Sequence, residues 1–265
     1  MTTGALIFAF NNEEIDYVAM AAWSAKNIRR HLNIPTAIVT DAETVPDVFE
    51  HVIRVPRTGN DTRYFEDVGS TVTWHNASRV DAYALSPWDQ TLVLDADYVV
   101  ASNSLNQLID APQDFMCHNW AWDLTMTNNF EGLNTFGEHK MPMWWATVMM
   151  FRRSNTAQFI FESMHMIREN WQHYRDLYGI SKKTYRNDFA LSIALGIVSG
   201  HTQQVDNILW PLASILPEHQ VEQLDKDYYM VTYKDQQGRW KNMAWAGMDF
   251  HAMGKGHLGA IVASN

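Results

Sequence analysis

The chain has one cysteine, Cys117, among its 265 residues. No intrachain disulfide can form, and a reducing compartment fits. Cys117 follows the apolar pair Phe115-Met116 and reads as a buried thiol. Long hydrophobic runs are also missing: the longest, Met141 to Phe151, falls far short of the roughly 20 residues that a membrane-crossing helix needs. The N-terminus has no basic start before its first apolar run, which stops at Asn11-Asn12-Glu13-Glu14. No signal peptide is indicated, and a soluble, cytoplasmic protein is expected. Basic charge is scarce as well. With 20 Lys and Arg against 30 Asp and Glu, the net charge is -10, which argues against a surface that coats nucleic acid uniformly. One segment departs from this balance: between Phe151 and Ala190, Arg152, Arg153, Arg168, Arg175, Lys182, Lys183 and Arg186 face four acidic residues. That local excess suits either an anion-facing surface or solvated helix charges. The chain shows no repeat, low-complexity tract or linker, and its 46% hydrophobic content can bury one large core, so residues 1–265 are expected to form a single domain.

What is present begins with Gly4-Ala5-Leu6-Ile7-Phe8-Ala9-Phe10, a continuous apolar run of the kind found in strands covered on both faces. Asn12 reads as an N-cap, with Ile15, Val18, Ala19 and Ala22 following at helical spacing. Thr36–Thr40 and Val52–Val55 read as further strands, a polar stretch from Pro56 to Thr73 follows, and Trp74 to Leu85 reads as a helix before the break at Ser86-Pro87. The order β-α-β-β-loop-α-β describes a nucleotide-binding half of doubly wound type over 1–110. Later come a long connection, Asn119 to Lys140, a buried strand at Ala146–Phe151 and a stripe of Ile160, Met164, Ile167, Trp171, Tyr174 and Tyr178 that predicts one long amphipathic helix. A helix at Asn187–Leu195 and a hairpin around Gly238 complete the reading.

The most informative segment is Thr91-Leu92-Val93-Leu94-Asp95-Ala96-Asp97, an apolar run that delivers two carboxylates one residue apart. Strand side chains alternate between faces, so both can serve one ion only if the backbone leaves strand geometry at Asp95. Open α/β sheets place ligands at such carboxyl ends. Hard oxygen ligands suit Mg²⁺ or Mn²⁺ carrying a diphosphate. The plain alternative is an Asp-containing turn after a buried strand.

This arrangement, with Leu94-Asp95-Ala96-Asp97 at its centre and Ser102 to Leu108 reading as a short capped helix after it, resembles the GT-A fold nucleotide-sugar glycosyltransferases, especially the glycogenin and lipopolysaccharide galactosyltransferase group. The resemblance implies a Rossmann-like mixed sheet flanked by helices, with an acceptor-binding half and a metal-binding C-terminal segment in 111–265. It implies Mn²⁺ (or Mg²⁺) held by Asp95, Asp97 and His251, and a UDP-sugar donor. His251 and Gly254 match the family's terminal motif by spacing, whereas Lys255 stands earlier than the family's phosphate-binding lysine, at whose position the chain has His257. Phe10, Asn11 and Tyr17 are placed to meet a uracil, and Asp41 is placed like the carboxylate that takes a ribose hydroxyl in nucleotide folds. Arg79 is a candidate partner of phosphate or of Asp95. The family's Asn-Ala-Gly before the mid-chain strand is replaced by Trp144-Trp145-Ala146, which makes Trp145 a candidate sugar contact. Asn187 and Asp188 open a helix where related enzymes carry a carboxylate beside the reacting sugar, so Asp188 is read as a general base or as a hydroxyl-holding group.

The chain's compactness and tryptophan-rich middle are similar to small glycosyltransferases of tailed phages, which implies hydroxymethylated cytosine in phage DNA as one acceptor and a host cytoplasm as the setting. A glycan or small-molecule acceptor is the alternative. A D-x-D phosphohydrolase, a nucleotidyltransferase and a non-catalytic binder are further readings. The first normally carries its motif on the first strand, the second lacks its Gly-rich basic loop here, and the third needs no Asp95, Asp97 and His251 together.

Overall fold

The computed structural model describes residues 1–57, 61–65, 68–75, 77–127, 134–201 and 206–265. Its main layer is a six-stranded mixed sheet in the order His51–Arg54, Thr36–Thr40, Thr3–Phe8, Gln90–Leu94, Trp145–Arg152, Phe115–His118. The first four strands are parallel, and Trp145–Arg152 runs antiparallel to both of its neighbours. The expected α/β class with a mixed sheet therefore holds. Thr36–Thr40 and Gln90–Leu94 are buried at every position, as strands covered on both faces must be. From Thr3–Phe8 the chain builds outward on one side, then returns to add Gln90–Leu94 on the other. Ligand crevices form outside such a switch in strand order. The pairing of Ile7 with Leu94 puts Phe8 and Asp95 side by side at that edge.

Helices cover the sheet with some departures from the sequence reading. The first spans Tyr17–Leu32 and is capped by Asp16, whose carboxylate accepts the Ala19 N–H at 2.9 Å. Asn12 instead closes a separate turn, accepting from the N–H groups of Glu14 and Ile15 at 3.0 and 2.8 Å. The long helix expected through Tyr178 is two helices, Asn155–Glu169 and Trp171–Leu177. The break falls at Asn170, whose side-chain amide donates to the Met166 carbonyl at 2.9 Å and so competes with the helical ladder. Ile160, Met164 and Ile167 are core, but no residue of Trp171–Leu177 is fully buried. The helix expected from Trp74 is a 3₁₀ turn, Ala77–Asp81, running into Ala82–Leu85, because Trp74 ends a hairpin formed by Asp61–Phe65 and Ser70–Trp74. The short helix after the motif is Asn106–Asp110, and that of the later part is Asn187–Val198.

A second sheet, ordered Tyr98–Val99, Phe250–Ala252, Leu212–Ile215, Ala121–Asp123, joins distant segments at the edge of the first. The expected late hairpin is Tyr228–Lys234 with Trp240–Ala246, turning through Gly238 at φ 76°, and Gln220–Asp225 adds a third strand. Of the long connection Asn119 to Lys140, residues 128–133 lie outside the described residues. Among the described residues no helix is long and apolar enough to cross a membrane.

Candidate active site

The ladder of Gln90–Leu94 ends at Asp95, whose N–H donates to the Thr147 carbonyl at 3.0 Å. Tyr98 N–H then donates back to the Asp95 carbonyl at 3.0 Å, closing a tight turn over Asp95-Ala96-Asp97-Tyr98. This turn is the departure from strand geometry that lets alternate residues share a side. His251 arrives from the far end of the chain on Phe250–Ala252, where it lies opposite Tyr98 in an antiparallel pair. Its strand is fastened by Ala252 N–H to Asp97 carbonyl at 3.0 Å. Asp249, one step before that strand, accepts from Ala101 N–H at 2.8 Å and Ser104 Oγ at 3.0 Å. Burial raises the Asp249 pKa against those hydrogen bonds.

Ligand atoms of Asp95, Asp97 and His251 all lie within 4.8 Å of one another, the only such group of three among the described residues. His251 Nε2 is 3.3 Å from Asp97 Oδ2. Two carboxylate oxygens and one imidazole nitrogen suit Mn²⁺ or Mg²⁺, with further positions left for phosphate oxygens. Two cations already face the carboxylates. Arg79 is ion-paired with Asp95 and held in place by Nη1 donating to the Ala146 carbonyl at 3.1 Å. Lys255, the first residue of the C-terminal helix Lys255–Ala263, is buried and ion-paired with Asp97. Gly254 sits at that helix's N-cap, and His257 is not among the residues lining the cleft.

The triad lies in a cleft that opens to solvent. Toward the first strand its walls are Phe8, Phe10, Tyr17, Trp74 and His75. Trp74 and His75 did not emerge from the sequence, because only the hairpin pairing brings them here. Asn12 Nδ2 donates to the Thr73 carbonyl at 3.1 Å and the Glu13 carboxylate accepts from Thr73 Oγ1 at 3.0 Å, which ties the hairpin to the loop after the first strand. Asn11 and Asp41 do not line the cleft. The Asn11 side chain accepts Val18 N–H at 2.9 Å, and Asp41 accepts from Arg57 Nε at 2.6 Å. Arg57 Nη1 stands 3.4 Å from His75 Nε2, so Asp41 borders the cleft through that chain of contacts.

On the other side stand Trp145, Thr147, Arg186, Asn187 and Asp188. Trp145 is buried, and its indole N–H has no hydrogen-bond partner among the described residues. Asp188 Oδ1 accepts the Ala146 N–H at 3.0 Å and Oδ2 accepts from Arg186 Nη2 at 2.5 Å. Burial pushes its pKa up, but the Arg186 charge, the Ala146 N–H and Arg79 together hold it below the usual carboxylate range. Asp188 is therefore ionised and weakly basic, better suited to holding a hydroxyl or facing developing positive charge than to taking a proton. Asn187 Oδ1 accepts from the buried Tyr185 hydroxyl at 3.3 Å.

The basic segment does not form one surface. Arg152 donates to the Ile109 and Ala111 carbonyls, Arg153 to those of Tyr83, Ser86 and Trp88, and Arg168 to the Ala77 carbonyl and Asp81. Arg186 faces the cleft, and Lys182 and Lys183 remain exposed.

No family model and no curated protein matches the chain. Among solved structures it is similar to the glycosyltransferase GlyE of Streptococcus pneumoniae, at 12% identity and a TM-score of 0.42, covering 79% of this chain and 46% of that one. The chain thus spans less than half the length of the pneumococcal protein. It is also similar to an active-site mutant of LgtC, at 13% identity and a TM-score of 0.46, covering 72% and 69%. Mouse xyloside xylosyltransferase 1 is similar at 13% identity and a TM-score of 0.43, covering 79% and 85%. These three solved structures are glycosyltransferases by name or, for LgtC, a galactosyltransferase.

Proposed function

We propose that the protein is a metal-dependent glycosyltransferase of the GT-A type that moves a sugar from a UDP-sugar to an acceptor hydroxyl. The observation that carries this reading is the Asp95-Ala96-Asp97 turn meeting His251 at the floor of a cleft with an aromatic wall on one side and an ionised carboxylate on the other. The aromatic wall of Phe10, Tyr17 and Trp74 suits a nucleobase, since ring faces stack on any base. Asp95, Asp97 and His251 would hold Mn²⁺ or Mg²⁺, which when bound acts as a Lewis acid on the leaving diphosphate. Arg79, paired with Asp95, would orient it, and Lys255, paired with Asp97, would be the cation to meet the same phosphates. Asp188, on the far side, is proposed to hold a hydroxyl of the donor sugar and to stabilise the positive charge that grows at the anomeric carbon. There the bond to the β-phosphate oxygen breaks, the bond to the acceptor oxygen forms, UDP departs, and the acceptor's proton passes to solvent or to phosphate.

A phosphohydrolase would need Asp95 as a nucleophile, whereas here Arg79 clamps it. For the acceptor, Arg152, Arg153, Arg168, Arg175 and Arg186 all bond to carbonyls or carboxylates of the chain itself, so the segment offers no continuous basic surface to a DNA backbone. That favours a glycan or small-molecule hydroxyl over modified DNA. The buried lone Cys117 agrees with a reducing setting such as the cytoplasm. The test is a panel of UDP-sugars incubated with free glycans and with hydroxymethylcytosine DNA, with Mn²⁺ and with EDTA, read by mass spectrometry. Metal-dependent transfer is expected, and turnover undiminished in EDTA refutes the reading.

A further inference from the structure

Asp95 and Asp97 bring two negative charges to one turn, and the chain answers them with two positive ones. The two cations are mounted differently. The Arg79 guanidinium is braced by the Ala146 carbonyl on the central sheet, and its side chain is nearly closed off from solvent. Lys255 reaches from the first turn of a terminal helix on a flexible four-carbon stem, and its ammonium also donates to the Ala252 carbonyl at 3.4 Å. It also meets the same oxygen, Asp97 Oδ2, that His251 Nε2 approaches at 3.3 Å. An ion coordinated by Asp97 Oδ2 and His251 Nε2 would thus occupy the place of the ammonium group.

We propose that Lys255 is an exchangeable internal cation, which holds Asp97 in the free protein, is displaced when a divalent ion binds, and is then captured by the donor's diphosphate. This rests on the glycosyltransferase reading. The exchange is electrically balanced: the ion brings two positive charges to the carboxylates, the diphosphate bridge brings two negative ones, and Lys255 moves from one partner to the other. Balance matters because an uncompensated charge in a poorly hydrated site is costly. The ion and the nucleotide should therefore favour each other's binding, and by linkage the coupling must be equal in both directions. Arg79, braced as it is, stays with Asp95 and acts as a positioning residue.

The test follows the Lys255 amine directly. Brief acylation with an amine-reactive reagent, followed by peptide mass spectrometry, is carried out on the free protein, with Mg²⁺, and with Mg²⁺ and UDP. Lys255 should be protected, then labelled several times faster, then protected again, while exposed Lys182 and Lys183 label equally throughout. In parallel, Mn²⁺ binding is measured by electron paramagnetic resonance. Lys255→Met should bind Mn²⁺ about tenfold more tightly without nucleotide and UDP about tenfold more weakly at saturating Mn²⁺, each a change of about 1.4 kcal/mol. Labelling of Lys255 that ignores Mg²⁺ overturns the exchange, as does a Lys255→Met variant in which both affinities fall together. If the unaltered protein binds no Mn²⁺, the metal reading itself fails, and that result is separate from either of the others.

Discussion

His118 offers a measurable consequence of how the cleft wall is built. It lies opposite Trp145 in the antiparallel pair that closes one side of the cleft, and it is 1% exposed. Its Nδ1 is 3.0 Å from the Trp210 carbonyl, and its Nε2 has no partner among the described residues. Burial depresses its pKa from 6.5 to about 4, the Trp210 carbonyl opposing the shift. The unfolded chain therefore takes up this proton first, and stability is lost as pH falls below 6.5 toward 4. A displacement of about 2.5 pH units at about 1.4 kcal/mol each makes the full loss about 3 kcal/mol, of which about 2 kcal/mol falls between pH 7 and pH 5. Urea unfolding at pH 7, 6 and 5, compared between the protein and His118→Gln, isolates this contribution. The substitution is expected to lower stability at pH 7, since it gives up the Trp210 contact, but to flatten the pH dependence by about 2 kcal/mol over that range. Two stability curves that stay parallel from pH 7 to pH 5 would show that His118 titrates normally and that the wall is open to water.

Other outcomes follow from the cleft itself. Asp97→Asn should abolish Mn²⁺ binding and sugar transfer together, and a variant that keeps Mn²⁺ affinity would remove Asp97 from the ligand set. Calorimetry in Mn²⁺ should rank UDP above GDP and dTDP; tighter GDP binding would mean that the Phe10 and Tyr17 wall has been misread. Asp188→Asn should cut turnover by about 100-fold or more while leaving UDP affinity unchanged, if the carboxylate faces charge that appears only in the transition state; equal losses in both would place it in nucleotide binding. Lys182→Ala with Lys183→Ala should leave any affinity for DNA and its salt dependence unchanged if the two lysines form only a solvated face, whereas a slope reduced by about 0.9 per lysine in log–log form would restore the DNA reading.

The local signals legible in the chain were those with a short physical range. Buried apolar runs gave the strands Thr36–Thr40 and Gln90–Leu94, and the carboxylates after the second run marked the turn that the cleft is built on, because strand burial and turn chemistry act within a few residues. Boundaries where side chains compete with the backbone were misread: Asp16, not Asn12, caps the first helix, and Asn170 divides the later one. What the tertiary structure alone decided is which groups meet. His251 reaches Asp97 through strand pairing with Tyr98, 153 positions earlier in the chain, Trp74 and His75 enter by a hairpin that reads locally as a helix start, and Lys255 finds Asp97 from one residue past Gly254. Arg152, Arg153 and Arg168 looked like a charged surface in sequence and are spent on backbone carbonyls and Asp81. Composition records how many charges a segment carries. Only the packed chain determines whether a carbonyl, a carboxylate or solvent receives each one, since desolvation and pairing depend on neighbours that sequence order does not supply.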